Sequence, residues 1–413
     1  MRHRVWALAG YAALCAAQQD RWALPNFAQR LELDLSNSGS TPVSALAVIP
    51  VAEAARIAPG FPGTVCIPVI PGRQTEVVPS QADDLDGDGV PDEVVLPVKL
   101  AAGERRRVHI YYSTTLHDSI PWPKRVHASH AFGFNRATVA LESERIGYRS
   151  YGGFFMDIQA RAAGKPGLYN SLVGYFGSQN PEAIGQDIIH LGDTLGLGGL
   201  FLRAGDRVYR PPLNMPDYAH KPAPAEAPDY RVIADGPVRA VVEASMRHWS
   251  IGDDAVMIRA IYSIAAGAGH LACRYQIFPL RLSRTYEVGA GIRHLPEMRT
   301  DDGTGRLALV GTQTAKIGPI GLALYFEPGD ADVKQPLVTK DGRNECIVFR
   351  QRLEPGHATQ GHYWMAGAWG RSGIDDLPAY LREIDREARA SVTLGDYRFA
   401  RTPFPERVEG EAN

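Results

Sequence analysis

The chain has 413 residues, with 44 Lys and Arg residues against 46 Asp and Glu residues, and a formal net charge of -2. This near balance, without a basic stripe that could follow a phosphate backbone, argues against nucleic acid as a partner. The length exceeds what one hydrophobic core usually serves, so we expect two domains.

The amino-terminal residues have the pattern of an export signal. A basic start at residues 2–4 is followed by an apolar run over residues 5–17, which ends in small residues as at a cleavage site. We therefore predict a signal peptide over residues 1–17, a mature chain that begins near Gln18, and a periplasmic or secreted location. Lipid modification of Cys15 is the alternative. No later segment has the roughly twenty consecutive apolar residues of a membrane span.

Residues 22–115 have the pattern of a small antiparallel β-sandwich. Apolar residues alternate or form short β-branched runs, separated by clusters of Pro and Gly such as residues 59–63. Short strands with turn residues between them can each bury one face, which is typical of a sandwich. The runs are residues 31–35, 46–51, 65–70, 94–98 and 108–112.

A proline-rich linker at residues 119–124 precedes a larger unit, which we predict to be an antiparallel β-supersandwich over residues 124–413. Nine runs in it have strand character because β-branched and aromatic residues dominate them. They are residues 139–141, 199–203, 238–247, 256–264, 271–277, 307–310, 320–326, 346–350 and 363–369. The predicted fold is therefore mostly β, with few helices.

One helix is predicted late in the chain. Asp375 or Asp376 can cap its amino terminus, and Pro378 lies in its first turn. Its apolar residues recur on one face, at Leu377, Leu381, Ile384 and Ala388.

Three cysteines follow the predicted signal peptide: Cys66, Cys273 and Cys346. Their number is compatible with one disulfide and one buried thiol. Their spacing defines neither a framework of disulfides nor a cysteine zinc site.

An acidic loop at residues 84–93 resembles a calcium-binding loop. Carboxylates alternate along a tight, glycine-containing turn, so their oxygens can converge on one hard cation, to which Val90 would add its carbonyl. The predicted ligands are Asp84, Asp86, Asp88 and Asp92. The alternative is an acidic turn that binds no metal. The role of either would be structural, and no organic cofactor is predicted.

Functional side chains are dense between residues 127 and 169, where aromatic rings alternate with His, Arg and Asp. Flat rings suit the apolar face of a sugar, whereas polar groups bind its hydroxyls. Trp122, Tyr151 and Phe154 are the aromatic residues predicted to stack on a sugar ring.

Two later segments also carry candidate side chains. Residues 187–199 contain His190 and Asp193 beside glycines that lack the spacing of a phosphate-binding loop, so we predict a tight turn before a strand. His190 and Asp193 either face a site or pair with each other. Residues 214–222 form a long polar loop with Tyr218, His220 and Lys221. The serine-hydrolase elbow, the zinc-protease helix and the kinase motifs are absent from the sequence.

Four segments together resemble a secreted bacterial family. They read Asp-Leu-Asp-Gly-Asp-Gly-x-x-Asp-Glu from Asp84, Leu-Glu-Ser-Glu-Arg-Ile-Gly-Tyr-Arg from Leu141, Gly-x-Asp from Gly185 leading to Gly-x-x-Leu-Gly-x-Gly from Gly192, and Asp-Gly-Pro-Val-Arg-Ala from Asp235. The family was long labelled as of unknown function, occurs beside unsaturated-glucuronyl hydrolases in polysaccharide-utilisation gene sets, and includes an ulvan-oligosaccharide dehydratase. Residues 150–155 depart from it, because family members more often have a charged run there.

The resemblance implies a fold and a chemistry. The large domain is similar to the supersandwich of mutarotase-like proteins and many polysaccharide lyases, which implies a carbohydrate groove on a concave sheet. The implied partner is an acidic oligosaccharide or polysaccharide. The implied reaction is β-elimination on a uronic acid, by loss of water or by cleavage of a glycosidic bond.

Such an elimination needs a base for a weakly acidic proton, a cation for the substrate carboxylate and an acid for the departing oxygen. The candidates are Arg293 or Arg149 for the carboxylate, His294 or His220 for the proton, and Tyr151 or Tyr218 for the departing oxygen. Groups assigned to substrate binding are His190, Asp193, Lys221, Trp122 and Phe154.

Two other classes of function remain open on the sequence. Glycoside hydrolysis would use two carboxylates from among Asp157, Asp193 and Glu287, and would leave no unsaturated product. A non-catalytic periplasmic carbohydrate-binding protein could use the same sandwich.

Overall fold

The computed structural model describes residues 22–72, 75–116, 120–133, 136–172, 184–212, 227–296, 299–339 and 342–402. The chain divides into two compact units. One contains the residues up to Pro123 together with those from Ala390 onward, and the other is Lys124–Arg389. The predicted signal peptide lies outside the described residues.

The first unit is a sandwich of two antiparallel sheets. Its elements are β1 Gln29–Ser36, β2 Val43–Pro50, α1 Val51–Ile57, β3 Val65–Ile70, β4 Glu76–Val77, β5 Gln81–Asp83, β6 Glu93–Leu100, β7 Arg105–Ser113 and β26 Thr393–Arg401. The strand orders are β26-β1-β7-β3-β4 in sheet A and β2-β6-β5 in sheet B. Leu31, Leu33 and Leu35 alternate along β1 and are fully buried in the core shared with Ile49 of β2. Alternation therefore places one face of each strand in the core.

Two features of this unit differ from the prediction. Strand β26 pairs with β1, so the predicted extension of the large domain to residue 413 is corrected. Leu394 and Tyr397 of β26 pack against the core of the first unit, which explains the pairing. In addition, Val51 begins the short helix α1 rather than ending a strand.

The second unit contains the remaining strands and one longer helix. Its elements are β8 Val126–Gly133, β9 Arg136–Ser143, β10 Ile146–Tyr151, β11 Asp157–Arg161, β12 Gly185–Asp187, β13 Leu197–Ala204, β14 Arg207–Tyr209, β15 Asp229–Asp235, β16 Arg239–Ile251, β17 Asp254–Ala265, β18 His270–Arg281, β19 Tyr286–Arg293, β20 Arg299–Gly303, β21 Arg306–Thr312, β22 Pro319–Tyr325, β23 Ala331–Thr339, β24 Gly342–Leu353, β25 Thr359–Trp369, a 3₁₀ turn Gly370–Ser372 and α2 Leu377–Ala388.

Three antiparallel sheets share the core of this unit. Their strand orders are β12-β11-β10-β9-β8 in sheet C, β14-β13-β19-β24-β23 in sheet D and β15-β16-β17-β18-β25-β22-β21-β20 in sheet E. Apolar residues from all three sheets form one continuous cluster, which includes Tyr148, Val288 and Ile258. The prediction of a mostly β chain with few helices is confirmed.

Helix α2 forms as predicted. The side chain of Asp376 accepts a hydrogen bond of 2.9 Å from the backbone N–H of Ala379, and Pro378 lies in the first turn. Its apolar face packs on the outer side of sheet E, against residues such as Tyr325. The buried residues of that face include all four predicted ones, Leu377, Leu381, Ile384 and Ala388.

No helix in the described part of the chain is long and apolar enough to cross a membrane. Cys66, Cys273 and Cys346 are free thiols in the structure, so the disulfide left open by the sequence is not formed among them.

Candidate functional site

An arginine and two aspartates form a buried cluster on sheet C. Arg149 of β10 stands opposite Asp157 of β11, and Asp187 ends β12. Nη2 of Arg149 lies 2.8 Å from Oδ2 of Asp157 and 2.9 Å from Oδ2 of Asp187. At most 4% of any of these side chains is exposed. We call these three residues the Arg149 cluster.

Within the Arg149 cluster, the pKa of Asp187 is raised. Burial, and then the charge and hydrogen bond of Asp157, raise the pKa of Asp187 to about 9, against the opposing charge of Arg149. Burial and a neighbouring carboxyl group both disfavour the charged form of a carboxyl group, which accounts for the direction of the shift at Asp187.

The structure changes two predicted roles. Arg149 was expected to bind a substrate carboxylate, but its guanidinium is 2% exposed and already bonded to two aspartates. Phe154 was expected to stack on a sugar, but it is 2% exposed and belongs to the hydrophobic core. Both side chains therefore face the interior of the unit rather than a ligand.

Strand β12 leads into a loop, residues 188–196, whose main chain is held by distant side chains. The side-chain amide of Gln313 accepts from the N–H of His190 and donates to its carbonyl, both at 2.8 Å. Arg293, at the end of β19, donates from Nη1 to the carbonyl oxygens of His190 and of the next residue. Gly196, with a φ of 55°, turns the chain so that its carbonyl accepts the N–H of Arg293 at 2.7 Å.

This loop presents two candidate side chains beside a cation. The imidazole of His190 is exposed. The carboxylate of Asp193 pairs with Arg210, which follows β14 and also donates to the carbonyl of Thr194 at 3.1 Å. The predicted tight turn is therefore present, and Asp193 has Arg210 as an ionic partner.

An imidazole–carboxylate pair lies next to Arg293. Nδ1 of His294 is 2.9 Å from Oε1 of Glu345 on β24, and the same oxygen accepts from Nε of Arg343 at 2.7 Å. The side chain of His294 is 34% exposed, whereas that of Glu345 is 12% exposed. A carboxylate on one ring nitrogen orients the imidazole and leaves the other nitrogen for a ligand.

We call these residues of the loop, of β19 and of β24 the His190 site. They are His190, Asp193, Arg210, Arg293, His294, Arg343 and Glu345. The site contains three guanidinium groups but only two carboxylates. Its two imidazoles can add positive charge when protonated. This composition favours an anionic ligand and supplies a partly exposed base.

Sequence reasoning missed several groups that build the His190 site. Asn344, fully buried, accepts the N–H of Leu195 at 2.8 Å, and Gln313, Arg210 and Glu345 make the contacts described above. The available signal for Asn344 and Glu345 was a polar triplet, residues 343–345, directly before the predicted run of residues 346–350. Nothing in the local sequence singled out Gln313.

Several predicted site residues are not part of the described geometry. Tyr218, His220 and Lys221 lie outside the described residues, as does the side chain of Tyr151, which ends β10. Trp122 is half-buried and belongs to the first unit, just before its boundary at Pro123. The His190 site lies wholly in the second unit.

The acidic loop of the first unit brings three carboxylates together. Oxygen atoms of Asp84, Asp86 and Asp88 lie within 4.8 Å of one another. Hydrogen bonds from the backbone, first that of Gly89, lower the pKa of Asp84. The fourth predicted ligand, Asp92, instead accepts the N–H of Leu85 at 2.6 Å. Three converging carboxylates suit a hard cation such as calcium.

Solved structures of similar fold include two proteins from Enterococcus faecalis. An α-mannosidase of strain V583 has a TM-score of 0.50 and 10% identity, over 89% of this chain and 46% of that one. A protein in glycosyl hydrolase family 38 has a TM-score of 0.50 and 11% identity, over 91% and 48%. This chain spans about half the length of each, and at such identity the likeness is one of fold.

No curated protein matches the sequence. Residues 44–392 match a family described as "Domain of unknown function (DUF4861)". The matched range covers most of both units, including the acidic loop, the Arg149 cluster and the His190 site. The chain therefore belongs to the DUF4861 family.

Proposed function

We propose that this protein is an exported carbohydrate-active enzyme that performs β-elimination on a uronic-acid residue of an acidic saccharide, as an oligosaccharide dehydratase or a polysaccharide lyase. The observation that carries the proposal is the His294–Glu345 pair beside Arg293. It combines a partly exposed base with a local excess of cations. The resemblance to the ulvan-dehydratase group supports elimination, whereas the names of the fold neighbours support only the broader class of carbohydrate-active enzymes.

His294 is the proposed base. Glu345 would hold Nδ1 protonated and stabilise the imidazolium, so that Nε2 takes the proton beside the substrate carboxylate. His220, which is outside the described residues, remains the alternative base. A base at this position contributes roughly a hundredfold to ten-thousandfold in rate.

Arg293 and Arg210 are the proposed cations for the substrate carboxylate. A guanidinium close to the carboxylate stabilises the enolate-like charge that develops when the neighbouring proton leaves. His190 and Asp193 would bind sugar hydroxyls, and Lys221 would add a further cation. Tyr151 or Tyr218 would protonate the departing oxygen, which completes the elimination.

Glycoside hydrolysis is the second candidate. Its specific support is the Arg149 cluster, in which the raised pKa of Asp187 beside Asp157 is what an acid paired with a carboxylate requires. The names of the fold neighbours agree with it. The burial of both carboxyls argues against direct contact with a substrate, so elimination ranks first.

A structural calcium ion is also proposed, bound by Asp84, Asp86 and Asp88. The ion would brace the turn between β5 and β6 of the first unit. It takes no part in the proposed elimination.

A panel of acidic oligosaccharides, followed by mass and by ultraviolet absorbance of the unsaturated product, tests the proposal. Elimination yields the chromophore with loss of water or of a saccharide, and His294→Gln lowers its rate at least a hundredfold. The matched control, His357→Gln, removes an exposed imidazole from a turn and keeps the wild-type rate. Cleavage without a chromophore would point to hydrolysis, and binding without any product to a carbohydrate-binding protein; either outcome rejects elimination.

A further inference from the structure

A cavity lies on sheet D, and none of the residues that line it belongs to the His190 site. It has a volume of about 280 Å³ and is lined by Glu287, Asp332, Lys334, Val348, Phe349, Arg350 and Arg352. We call it the Arg350 pocket. Val348 and Phe349 are buried, and the other five lining residues carry charged side chains.

The backbone of β24 is irregular at this pocket. Opposite β24, Glu287 pairs with Arg352 and Gly289 pairs with Val348, so four steps along β24 match two steps along β19. Such a bulge inserts extra residues into one strand and re-aims its side chains. The bulge brings Arg350 and Arg352, which are 62% and 58% exposed, to one concave surface.

The cations of the Arg350 pocket are only loosely engaged. Arg350 lies 3.5 Å and Lys334 lies 3.7 Å from the same aspartate, Asp332. Arg352 lies 3.7 Å from Glu287, which has a closer partner in Arg203 at 2.6 Å. Exposed pairs of this length contribute little to stability, so an anionic ligand can replace them at small cost.

Charge and shape together define a ligand class. Two guanidinium groups suit the planar carboxylate or the sulfate of an acidic sugar, and the two acidic side chains can accept bonds from its hydroxyls. The volume lies near the lower end of the range for small-molecule pockets, which fits one sugar unit rather than a chain.

The Arg350 pocket and the His190 site share two strands. Glu287 and Arg293 are six residues apart on β19, on the same face of the strand, which corresponds to roughly 20 Å. On the neighbouring strand β24, Arg352 pairs with Glu287 and Asn344 pairs with Arg293, so the same two strands carry both ends of this span. An extended oligosaccharide can span such a distance.

We infer that the Arg350 pocket is a distal subsite that binds one anionic sugar unit of an acidic oligosaccharide. This inference rests on the proposed function for its ligand class. It predicts that longer acidic oligosaccharides bind more tightly than single uronic acids, through Arg350 and Arg352.

Calorimetric titration with tetragalacturonate tests the inference. The double variant Arg350→Gln/Arg352→Gln should bind it about tenfold or more weakly, while Arg247→Gln, an exposed arginine on sheet E, should bind it as the wild type does. Galacturonic acid should lose less affinity than tetragalacturonate does in the double variant, because a single unit can still bind at the His190 site. Wild-type binding should weaken with added NaCl and exceed that of mannotetraose.

Equal affinity of the double variant and the wild type for tetragalacturonate would overturn the inference. Competition by inorganic sulfate as strong as that by galacturonic acid would also overturn it, because the pocket would then be a simple anion site. Both arginines are exposed, so the double variant should fold as the wild type does, and an unchanged thermal unfolding curve would show this.

Turnover distinguishes the two proposals. If no acidic saccharide is converted but the variant loses binding, the subsite stands and the proposed elimination fails. If acidic saccharides are converted but the variant binds as the wild type does, the proposed elimination stands and the subsite fails.

Discussion

Nδ1 of His294 lies 2.9 Å from Oε1 of Glu345, although 51 residues separate them in the chain. The pair joins the end of β19 to the start of β24, two neighbouring strands of sheet D. Because Arg343 donates to the same carboxylate oxygen at 2.7 Å, the acceptor is fixed from two sides. This arrangement orients the imidazole of His294.

Glu345→Gln should lower the rate of elimination by less than His294→Gln does, because the imidazole remains but loses the carboxylate that orients it and stabilises its charged form. The measurement is kcat and KM on the best acidic oligosaccharide across a range of pH. The change should fall on kcat and leave KM nearly unchanged. A change confined to KM would contradict the positioning role of Glu345.

Arg293→Ala should loosen the loop of residues 188–196, because two main-chain carbonyls lose the guanidinium that binds them. We expect a loss of about 1–3 kcal/mol in the free energy of unfolding. Hydrogen exchange should increase at the amides of that loop more than elsewhere in sheet D. Arg207→Ala, an exposed position in β14, serves as the control. Unchanged exchange at the loop would show that the guanidinium of Arg293 does not hold it.

The raised pKa of Asp187 predicts a dependence of stability on pH. The pKa of Asp187 is about 9 in the folded state, against an ordinary value of 3.8. Between these two pH values the folded protein keeps a proton that the unfolded chain has released. Stability from this group is therefore lost as pH rises between those values, by at most about 1.4 kcal/mol per pH unit. Asp187→Asn should flatten this decline in chemical denaturation. An identical pH slope in variant and wild type would contradict the shift.

Removal of Arg149 should destabilise the second unit strongly. Arg149→Met leaves two buried carboxyls without their cation, which typically costs about 3–5 kcal/mol. The triple variant Arg149→Met/Asp157→Asn/Asp187→Asn removes the charges together and should recover much of that loss. Denaturation midpoints measure both. A triple variant no more stable than Arg149→Met would show that the cluster acts through packing instead of charge.

Calcium should stabilise the first unit if Asp84, Asp86 and Asp88 bind it. At a hundred times its dissociation constant, a ligand specific for the folded state adds about 2.7 kcal/mol. Thermal unfolding of chelator-treated protein, with and without calcium, gives the shift. Asp86→Asn should abolish it, whereas Asp206→Asn, in the turn between β13 and β14, should not. No shift at millimolar calcium would mean an acidic turn that binds no metal.

The sequence by itself predicted the mostly β fold, many of the strands in both units and helix α2, but not strands such as β8, β19 and β26. Leu31, Leu33 and Leu35 alternate because one face of β1 is buried, and a cap at Asp376 followed by a one-sided apolar pattern is enough for a helix. These signals involve residues within about four positions of each other, so they can be read locally.

The tertiary structure alone decided which distant groups meet and which side chains face inward. Gln313 reaches His190 across 123 residues, and β26 returns to pair with β1. Phe154 has the same local signature whether it stacks on a ligand or fills the core, and only the packing of three sheets placed it inside. Such contacts depend on loop closure and on the whole core, which no short window of sequence contains.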